Sequence, residues 1–430
     1  MISFVVVTLL FVLLGSGMPV GFAMGVAGCV GLYLIGDGLG TLIGIVQTSS
    51  ISTISAYELI TIPMFLLLAE FVLISKIADE LFEAAAAWVG RLRGGLGMAT
   101  ALAGAGFGAI CGSSAASAAT LSATSLPAML KQGYEIRMAT GVVAISGTLA
   151  MLIPPSIALI IYAILANVSI GQLLIGGIVP GLIITVTIML TIWVLVVMDS
   201  SRAPLGPKVP FGVKLRLLKI VGPMIVLLTF VTGVLYTGIT TPTEASALGA
   251  FGAFMIAVFR RKLSMQNLGA ALGRAARSSC MISMILVGAH IFGYYFTLAQ
   301  VPQELVAWVG SLDASRWVIM TMLLIGYIIL GCFMDQIAIL VLTVPIVLPL
   351  IKSLGFDPLW FGIIMIVTAE IGMVTPPMGL NCYIVSRYAN TPVVDVFRGI
   401  WPHFLAHLVA LAILVLFPSI ILWLPSRMVN

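Results

Sequence analysis

The sequence predicts an all-α polytopic membrane protein with two repeats of inverted topology, each containing a re-entrant hairpin and a broken transmembrane helix. Three observations support this fold class: the apolar composition, a double proline that occurs twice inside apolar segments, and the placement of lysine and arginine. Of the 430 residues, 61% are hydrophobic and only 8% are charged, and the mean hydropathy is +1.21. These values lie far outside the range of soluble domains.

Apolar segments of spanning length account for much of the chain. The runs 172–197 and 403–425 meet the roughly 20-residue length of a transmembrane helix, and the chain is long enough for about a dozen crossings. The 44 glycines and 21 prolines are spread through apolar segments, which favours a helical bundle over a β-barrel. The apolar N-terminus has no basic region and no small-x-small cleavage site, so we interpret it as a first span and not as a signal peptide.

The basic loops predict the orientation of the chain. The most basic segments are 199–219 and 260–277, and the residues between them can form two helices, 220–238 and 243–259. Because lysine and arginine concentrate on the cytoplasmic side, both segments are expected inside. The basic residues that flank 98–130 are also inside if that segment enters the membrane and returns as a hairpin. Continuing this count places both termini in the periplasm, or outside the cell in a Gram-positive organism.

Enzymatic, metal-binding and nucleic-acid-binding functions are not indicated. The five cysteines lack disulfide or metal-type spacing, and no H-E-x-x-H motif is present. The histidines His290, His403 and His407 have no clustered carboxylates, so neither an intramembrane enzyme nor a transition-metal site is expected. His290 lies in a predicted span, 278–299, where it is a candidate proton relay, although a hydrogen-bonded core histidine is the favoured interpretation. The basic loops are explained by the positive-inside rule of membrane proteins, so we do not interpret them as a nucleic-acid-binding surface.

The two double prolines indicate an internal repeat. "LAMLIPPSIALI" occupies residues 149–160 and "VTPPMG" occupies residues 374–379; we call the separation between Pro154 and Pro376 the repeat offset. The loop count places 91–97 inside and 311–315 outside, so the copies are expected to be inverted. Inverted halves with broken helices are the signature of secondary transporters that bind their cargo near the membrane midplane. The same offset relates Pro127 to Pro349, Gly133 to Gly355, Pro155 to Pro377, Gly177 to Gly399 and Pro180 to Pro402.

A double proline inside a span predicts a ligand site. Proline removes a backbone donor and excludes the preceding residue from the α region, so the helix must break there. In a membrane the freed carbonyl and amide groups are stable only beside protein or a water-filled site. Helix C-termini suit a small cation, and helix N-termini suit an anionic group.

A polar hairpin tip accompanies each break. "AICGSSAASAAT" at 109–120 is too polar for a lipid-facing helix, and the repeat offset relates Ser113 to Asp335 in "GCFMDQIAIL". The hydroxyl, carboxylate and tip carbonyl oxygens are hard ligands of the kind an alkali cation needs. Two alternatives are open: the serines can be small residues that permit close helix contacts, and Asp335 can be a surface residue. The pairing of the two tips favours ion binding.

Four stretches together resemble one transporter family. "GFGAICGSSAASAATLSATSLPAM", "GTLAMLIPPS", "TPTEA" and "TPPMGLN" are similar to signature stretches of the large membrane subunit of tripartite ATP-independent periplasmic (TRAP) transporters, and the likeness covers essentially the whole chain. The resemblance implies an elevator-type architecture of the ion-transporter superfamily in the bacterial inner membrane, driven by sodium. It also implies a small four-helix membrane subunit on a separate chain, and a periplasmic substrate-binding protein that carries organic acids such as dicarboxylates or sialic acid.

The resemblance also implies the site residues, with Na⁺ as coupling ion and no cofactor. Ala150 stands where such proteins usually have glycine, as the paired Gly372 does. Arg387 can meet a substrate carboxylate, although an anchor at the cytoplasmic end of its span is the favoured interpretation. The implied first sodium site comprises Ser113, Ser114, Gly147, Thr148, Ala150 and Pro154. The second comprises Gly331, Asp335, Gly372, Thr375 and Pro376, and the substrate candidates are Ser156, Asn381 and Arg387.

Two acids are interpreted as helix-capping residues: Glu58 and Glu244, three positions after Ser55 and Thr241.

The expected organisation assigns moving and stationary parts to both halves. A stand-alone ion-coupled organic anion carrier without a binding protein is the alternative function, and the sequence does not identify the substrate. The predicted divisions are scaffold helices and interfacial arm of the first repeat (1–97), transport hairpin and broken helix (98–166), last helix and basic linker (167–219), scaffold and arm of the second repeat (220–315), second transport hairpin and broken helix (316–389) and C-terminal helix (390–430).

Overall fold

The computed structural model describes residues 2–36 and 38–428, and all regular structure in these residues is helical. The first half contains α1 (Ile2–Gly15), α2 (Val20–Ile35), α3 (Leu39–Ile54), α4 (Thr61–Ile74), α5 (Ile77–Val89), α6 (Gly95–Cys111), α7 (Ser114–Lys131), α8 (Ile136–Thr148), α9 (Ile157–Ala166), α10 (Ile170–Gly176) and α11 (Ile178–Met198). The second half contains α12 (Phe211–Tyr236), α13 (Pro242–Phe259), α14 (Met265–Leu298), α15 (Val301–Gly310), α16 (Arg316–Phe333), α17 (Gln336–Ser353), α18 (Pro358–Gly372), α19 (Leu380–Ala389), α20 (Val393–Leu416) and α21 (Ser419–Leu422).

The helices confirm the prediction of a multi-pass membrane protein. Within the described residues, eight helices are long and apolar enough to cross a membrane. Large apolar side chains such as Phe4, Phe11, Leu182 and Leu190 are exposed on the outside of the molecule. An apolar exterior is stable in lipid and would be unstable in water. Two of the eight are α16 and α17, which form the second predicted hairpin, whereas α6 of the first hairpin and α8, α9 and α18 of the broken helices are shorter apolar helices.

The repeat offset also relates the helices of the two halves. Adding the separation of Pro154 and Pro376 to the bounds of α7 gives 336–353, which are the bounds of α17. The same addition maps α5, α6, α8 and α9 onto α15, α16, α18 and α19 within two residues at each end. The spacing of the two double prolines therefore extends to the secondary structure around them.

The halves differ in one long helix. Helix α14 begins at Met265, well before the predicted span 278–299, and runs unbroken for 34 residues. By the repeat offset, its counterpart in the first half is α3, a short 3-10 helix (Tyr57–Ile60) and α4. The sequence did not predict α3. Helix α14 packs against α2, α3 and α4, and α4 packs against α13; we call these five helices the outer layer.

One of the two predicted capping residues is confirmed. Glu244 completes a capping box, in which its backbone N–H donates to Thr241 Oγ1 and its carboxylate accepts from the Thr241 backbone N–H at 2.8 Å. The prediction for Glu58 is wrong, because Ala56 is the N-cap of the 3-10 helix and no side chain caps it. The chain turns into this helix one residue later than the capping pattern requires.

The core lies in a central bundle, which we define as α6–α9 and α16–α19 with α20 beside them. All residues of α18 from Leu359 to Gly372 are buried, and so are those of α8 from Met138 to Thr148. Helices α8 and α20 cross in backbone contact at Gly141 and Gly399, where a side chain on either glycine would overlap the other helix. Small residues allow this close approach without lipid between the helices.

Charged side chains connect elements near the helix ends. Arg137 of α8 pairs with Asp395 of α20 at 2.9 Å, and Arg274 of α14 pairs with Glu70 of α4 at 2.6 Å. Outside the spans, hydrogen bonds from the Ser201 and Arg202 side chains hold the pKa of Asp199 below its usual value. These groups lie on the side that the basic loops predict to be cytoplasmic.

Candidate functional site

The first break is largely enclosed, with Ile153 half-buried. Helix α8 ends at Thr148, a 3-10 turn covers Leu149–Met151, and α9 begins at Ile157 after the double proline. Ser156 is the N-cap of α9, where its hydroxyl accepts from the Leu159 backbone N–H and donates to the Met151 carbonyl. Pro154, Pro155 and Ser156 are all buried. The predicted substrate candidate Ser156 thus has its hydrogen bonds within the break itself.

The second break is open on one side. Helix α18 ends at Gly372 and α19 begins at Leu380, and the Thr375 hydroxyl donates to the Ile371 carbonyl at 2.6 Å. Pro376 and Pro377 are exposed, and Met378 is 54% exposed. Two segments with the same sequence feature therefore lie in different surroundings.

Each hairpin turns at the residue that the repeat offset relates. Ser113 is the N-cap of α7 and accepts from the Ala116 backbone N–H at 3.4 Å, and Asp335 is the N-cap of α17 and accepts from the Ile337 backbone N–H at 3.1 Å. Ser113 follows Gly112, whose φ of +57° places it in the left-handed region. Ser113 is half-buried and Asp335 is exposed. Both side chains have a capping role whether or not they bind an ion.

Each hairpin lies directly against the break of its own half. A Cβ atom on Gly108 would lie 2.7 Å from Ala150 Cα, and one on Gly331 would lie 2.8 Å from Gly372 Cα. Gly147 likewise approaches Ala118 in the second arm of the first hairpin. The structure therefore brings the hairpin members and the break members of each predicted sodium site into one neighbourhood.

One side chain at the second break forms two hydrogen bonds with the first half. Asn381, in the first turn of α19, donates from Nδ2 to Ser114 Oγ at 2.6 Å and to the Ala144 carbonyl at 3.5 Å. Helix α19 packs against α7 and α8, and α9 packs against α17 and α18. The second half of each broken helix thus lies against the hairpin of the opposite repeat.

The three substrate candidates do not form one cluster of free polar groups. Ser156 and Asn381 are fully buried, and Ser156 Oγ and Asn381 Nδ2 have protein hydrogen-bond partners, whereas Asn381 Oδ1 has none in the described residues. Arg387 is exposed near the C-terminus of α19, and it forms no ion pair with the residues that the structure describes. Of the three, only Arg387 is exposed, and it is also the only one that carries a charge.

Two buried polar residues escaped the sequence analysis. Glu370 of α18 is 4% exposed and Gln336 of α17 is fully buried. Glu370 Oε1 and Gln336 Oε1 have no hydrogen-bond partner in the described part of the chain. A carboxylate inside an apolar span is a functional candidate by its position alone, so Glu370 could have been found from the run 358–373.

His290 lies in the wall of a cavity beside the C-terminal end of α9. Its Nδ1 is 2.9 Å from Thr53 Oγ1, and the cavity, of about 700 Å³, is also lined by Glu58, Asn167 and Tyr294. The side chain is half-buried. His290 therefore lies at a polar cleft between α3, α14 and the end of α9, away from both breaks.

Comparisons with known proteins agree on one family. Residues 7–420 match the family described as "Tripartite ATP-independent periplasmic transporter, DctM component". The chain is 34% identical, over 86% of both chains, to the C4-dicarboxylate TRAP transporter large permease protein DctM of Pseudomonas aeruginosa. It is 30% identical, over 99% of both, to the ectoine TRAP transporter large permease protein TeaC of Halomonas elongata.

A solved structure has a similar fold. The YdaH transporter of Alcanivorax borkumensis superposes with a TM-score of 0.67 over 89% of each chain, at 13% identity. A likeness at this identity concerns the fold alone. The family match covers both hairpins and both breaks, and the identity with the two relatives extends over most of each chain. The chain therefore belongs to the DctM family of large permease components of TRAP transporters.

Proposed function

We propose that this chain performs sodium-coupled uptake of a small organic acid across the bacterial inner membrane, as the large permease subunit of a TRAP transporter that works by an elevator mechanism. In this mechanism the central bundle moves as one body against the outer helices and exposes its site to either side in turn. The chain belongs to a transporter family, and the proposal adds the coupling ion, the mechanism and the membrane.

The unequal exposure of the two breaks is the observation that carries the proposal. Pro154 and Pro155 are buried, whereas Pro376 and Pro377 are exposed. A two-fold related pair of sites in a single state of an alternating-access transporter must differ in this way, because one side is closed while the other is open. With the predicted orientation, α19 leads from the second break to the cytoplasm, so this arrangement corresponds to an inward-facing state.

The contacts across the halves support movement as one body. Because α19 packs on the first hairpin and α9 packs on the second, neither hairpin can move far without the opposite broken helix. Helix α9 also packs against α4 of the outer layer, whereas the main contacts of α19 are with α7, α8 and α20. The repeat offset, together with the basic loops, supports inverted repeats, and the predicted divisions at 98–166 and 316–389 separate the moving parts from the scaffold.

The oxygen atoms near each break support sodium as the coupling ion. The proposed ligands are the hydroxyl and carbonyl groups of the first hairpin and break, and the Asp335 carboxylate with the carbonyl groups around Gly331, Gly372 and Thr375. Neutral oxygens with a carboxylate suit a hard cation such as Na⁺. Na⁺ is here a transported ion, and no cofactor is proposed.

The partners follow from the family description. A tripartite transporter with a large permease implies a small membrane subunit, here proposed as a separate four-helix chain, and a periplasmic substrate-binding protein. The two relatives are named for a C4-dicarboxylate and for ectoine, and both of these molecules carry a carboxylate. We therefore propose a carboxylate-containing substrate whose identity is set by the binding protein, with both termini of this chain in the periplasm.

The test is uptake into proteoliposomes that contain this chain and its small subunit, with the binding protein outside. An inward sodium gradient should drive accumulation of the substrate, and a proton gradient in sodium-free buffer should not. Equal uptake with the proton gradient would reject sodium coupling and would favour His290 as a proton relay. Uptake at the same rate without the binding protein would favour the stand-alone carrier.

A further inference from the structure

Glu370 is a buried acid without a charged partner. It lies two residues before the end of α18 and is 4% exposed. No lysine, arginine or histidine of the described residues forms an ion pair with it. Glu370 Oε1 has no hydrogen-bond donor either. An ionised carboxylate in such a place is stable only if a positive charge compensates it.

The carboxyl group lies near the break of the opposite half. The nearby backbone group of that half is the amide of Met151, in the 3-10 turn that precedes Pro154. Glu370 Oε1 has no donor in the described residues, so it is free to bind a ligand beside this turn. Glu370 therefore connects α18 of the second repeat with the interrupted helix of the first.

A neutral oxygen lies on the same face of α18. Gln336 Nε2 donates to the Ile366 carbonyl at 3.4 Å, and Ile366 is one helical turn before Glu370, so both positions share a face. Gln336 Oε1 is buried without a donor. Two buried acceptor oxygens with no donor, one of them on an acid, are the groups that a bound cation would satisfy.

A comparison of the two repeats explains why the first break would need a carboxylate from the other half. The repeat offset relates Ser113 to Asp335 and Thr148 to Glu370, so both acids occur in the second repeat and both hydroxyls in the first. Asp335 lies at the hairpin tip of the second half, and Glu370, two residues before the second break, also lies beside the 3-10 turn of the first break. The first break has no carboxylate from its own repeat at the related positions, and Glu370 is the acid of the other repeat beside it.

We propose that Glu370 is the charged ligand of the sodium ion bound at the first break, with the amide oxygen of Gln336 as a neutral ligand beside it. This inference rests on the proposed sodium coupling and adds to the first site the ligand that the family motifs do not indicate. It also makes sodium binding at the first break dependent on contact between the two repeats.

The test compares variants of the full chain, purified with its small subunit, in NaCl and in choline chloride. Thermal stabilisation by sodium measures binding without transport, and the sodium dependence of uptake measures coupling. Glu370→Gln keeps the size and removes the charge, so the sodium concentration for half-maximal stabilisation should rise about tenfold or more, which corresponds to about 1.4 kcal/mol. Glu244→Gln is the matched control, because this acid caps a helix, and its sodium midpoint should not change.

The possible outcomes separate this inference from the proposed function. An unchanged sodium midpoint in Glu370→Gln, or a changed pH profile with an unchanged midpoint, would overturn the inference and make Glu370 a protonated structural acid. Absence of any sodium stabilisation in the unmodified protein would instead reject sodium coupling itself. Should Glu370→Gln not assemble, Glu370→Asp keeps the charge on a shorter side chain. It should weaken sodium binding, and an unchanged midpoint would again overturn the inference.

Discussion

The side-chain amide of Asn381 donates a 2.6 Å hydrogen bond to the hydroxyl of Ser114, although the two residues are 267 positions apart. Both side chains are fully buried. The bond joins the second broken helix to the tip of the first hairpin, and thus a substrate candidate to a residue of the proposed first sodium site. A direct connection of this kind can make the position of the second broken helix depend on occupancy of the first site.

Removal of this bond should cost stability and uptake together. Asn381→Ala leaves the buried Ser114 hydroxyl without its donor, so we expect a loss of about 1–3 kcal/mol and a lower melting temperature of the purified protein. Ser114→Ala should have a similar effect. The double variant should be little worse than either single variant, because residues in one bond are not additive. Fully additive losses would contradict the coupling between the two side chains.

Replacement of Asp335 should separate capping from charge. Asp335→Asn retains an N-cap oxygen but removes the carboxylate, whereas Asp335→Ala removes both. We expect sodium-dependent uptake to fall in both variants and further in Asp335→Ala, with normal assembly in each. Wild-type uptake in both variants would mean that Asp335 is a surface residue with a capping role only.

The glycine contact at the second break should tolerate no side chain. A Cβ atom on Gly331 would lie 2.6 Å from the Ala369 carbonyl oxygen and 2.8 Å from Gly372 Cα, and backbone cannot yield as a side chain can. Gly331→Ala should therefore lower stability by about 1–3 kcal/mol and reduce uptake. Gly326→Ala in the same helix is the control, because no atom lies within 4 Å of its Cβ position. Equal melting temperatures would show that hairpin and break are not in close contact.

A disulfide between the two proposed bodies should stop transport. A Cβ atom on Gly293 of α14 would lie 3.9 Å from Pro345 Cβ of α17, which suits a disulfide. In a background without the native cysteines, Gly293→Cys with Pro345→Cys should abolish uptake on oxidation and recover on reduction. Cysteine pairs between the hairpin at 98–130 and the helix at 138–166 should leave uptake intact. Inhibition by the second kind of pair would indicate a gate instead of an elevator.

Much of the fold is predictable because proline and composition act locally. A chain of 430 residues with only 8% charged residues cannot form a soluble fold, so composition predicts the membrane class. A double proline breaks a helix wherever it occurs, so the positions of the two breaks could be predicted as well. Helix α3 was not predicted, and its second half contains the polar residues Gln47 to Ser50 and Ser52, which interrupt the apolar pattern of a span. Helix α14 begins earlier than predicted because Arg274 and Arg277 were assigned to a cytoplasmic loop, although Arg274 pairs with Glu70 beside it.

The site was less predictable because its contacts cross between the repeats. The repeat offset relates Ser113 to Asp335, but no spacing relates Asn381 to Ser114 or Glu370 to Met151. Such pairs depend on how the two halves fit together, which a periodic pattern within each half does not contain. Glu370 itself lies in the apolar run 358–373, where an acid inside a span is a signal of function that the sequence does contain.

The constancy of the repeat offset from helix to helix has a consequence for how this chain can change. One residue inserted in a helix advances everything after it by about 1.5 Å and rotates it by about 100°. A hairpin tip would then lie at a different depth in the membrane, and a ligand side chain would point away from its site. From α6 to α9 and from α16 to α19, where the helix bounds keep this offset within two residues, point substitutions should therefore be accepted more readily than insertions or deletions. Ser113 and Asp335 are an example of such an exchange of one side chain for another.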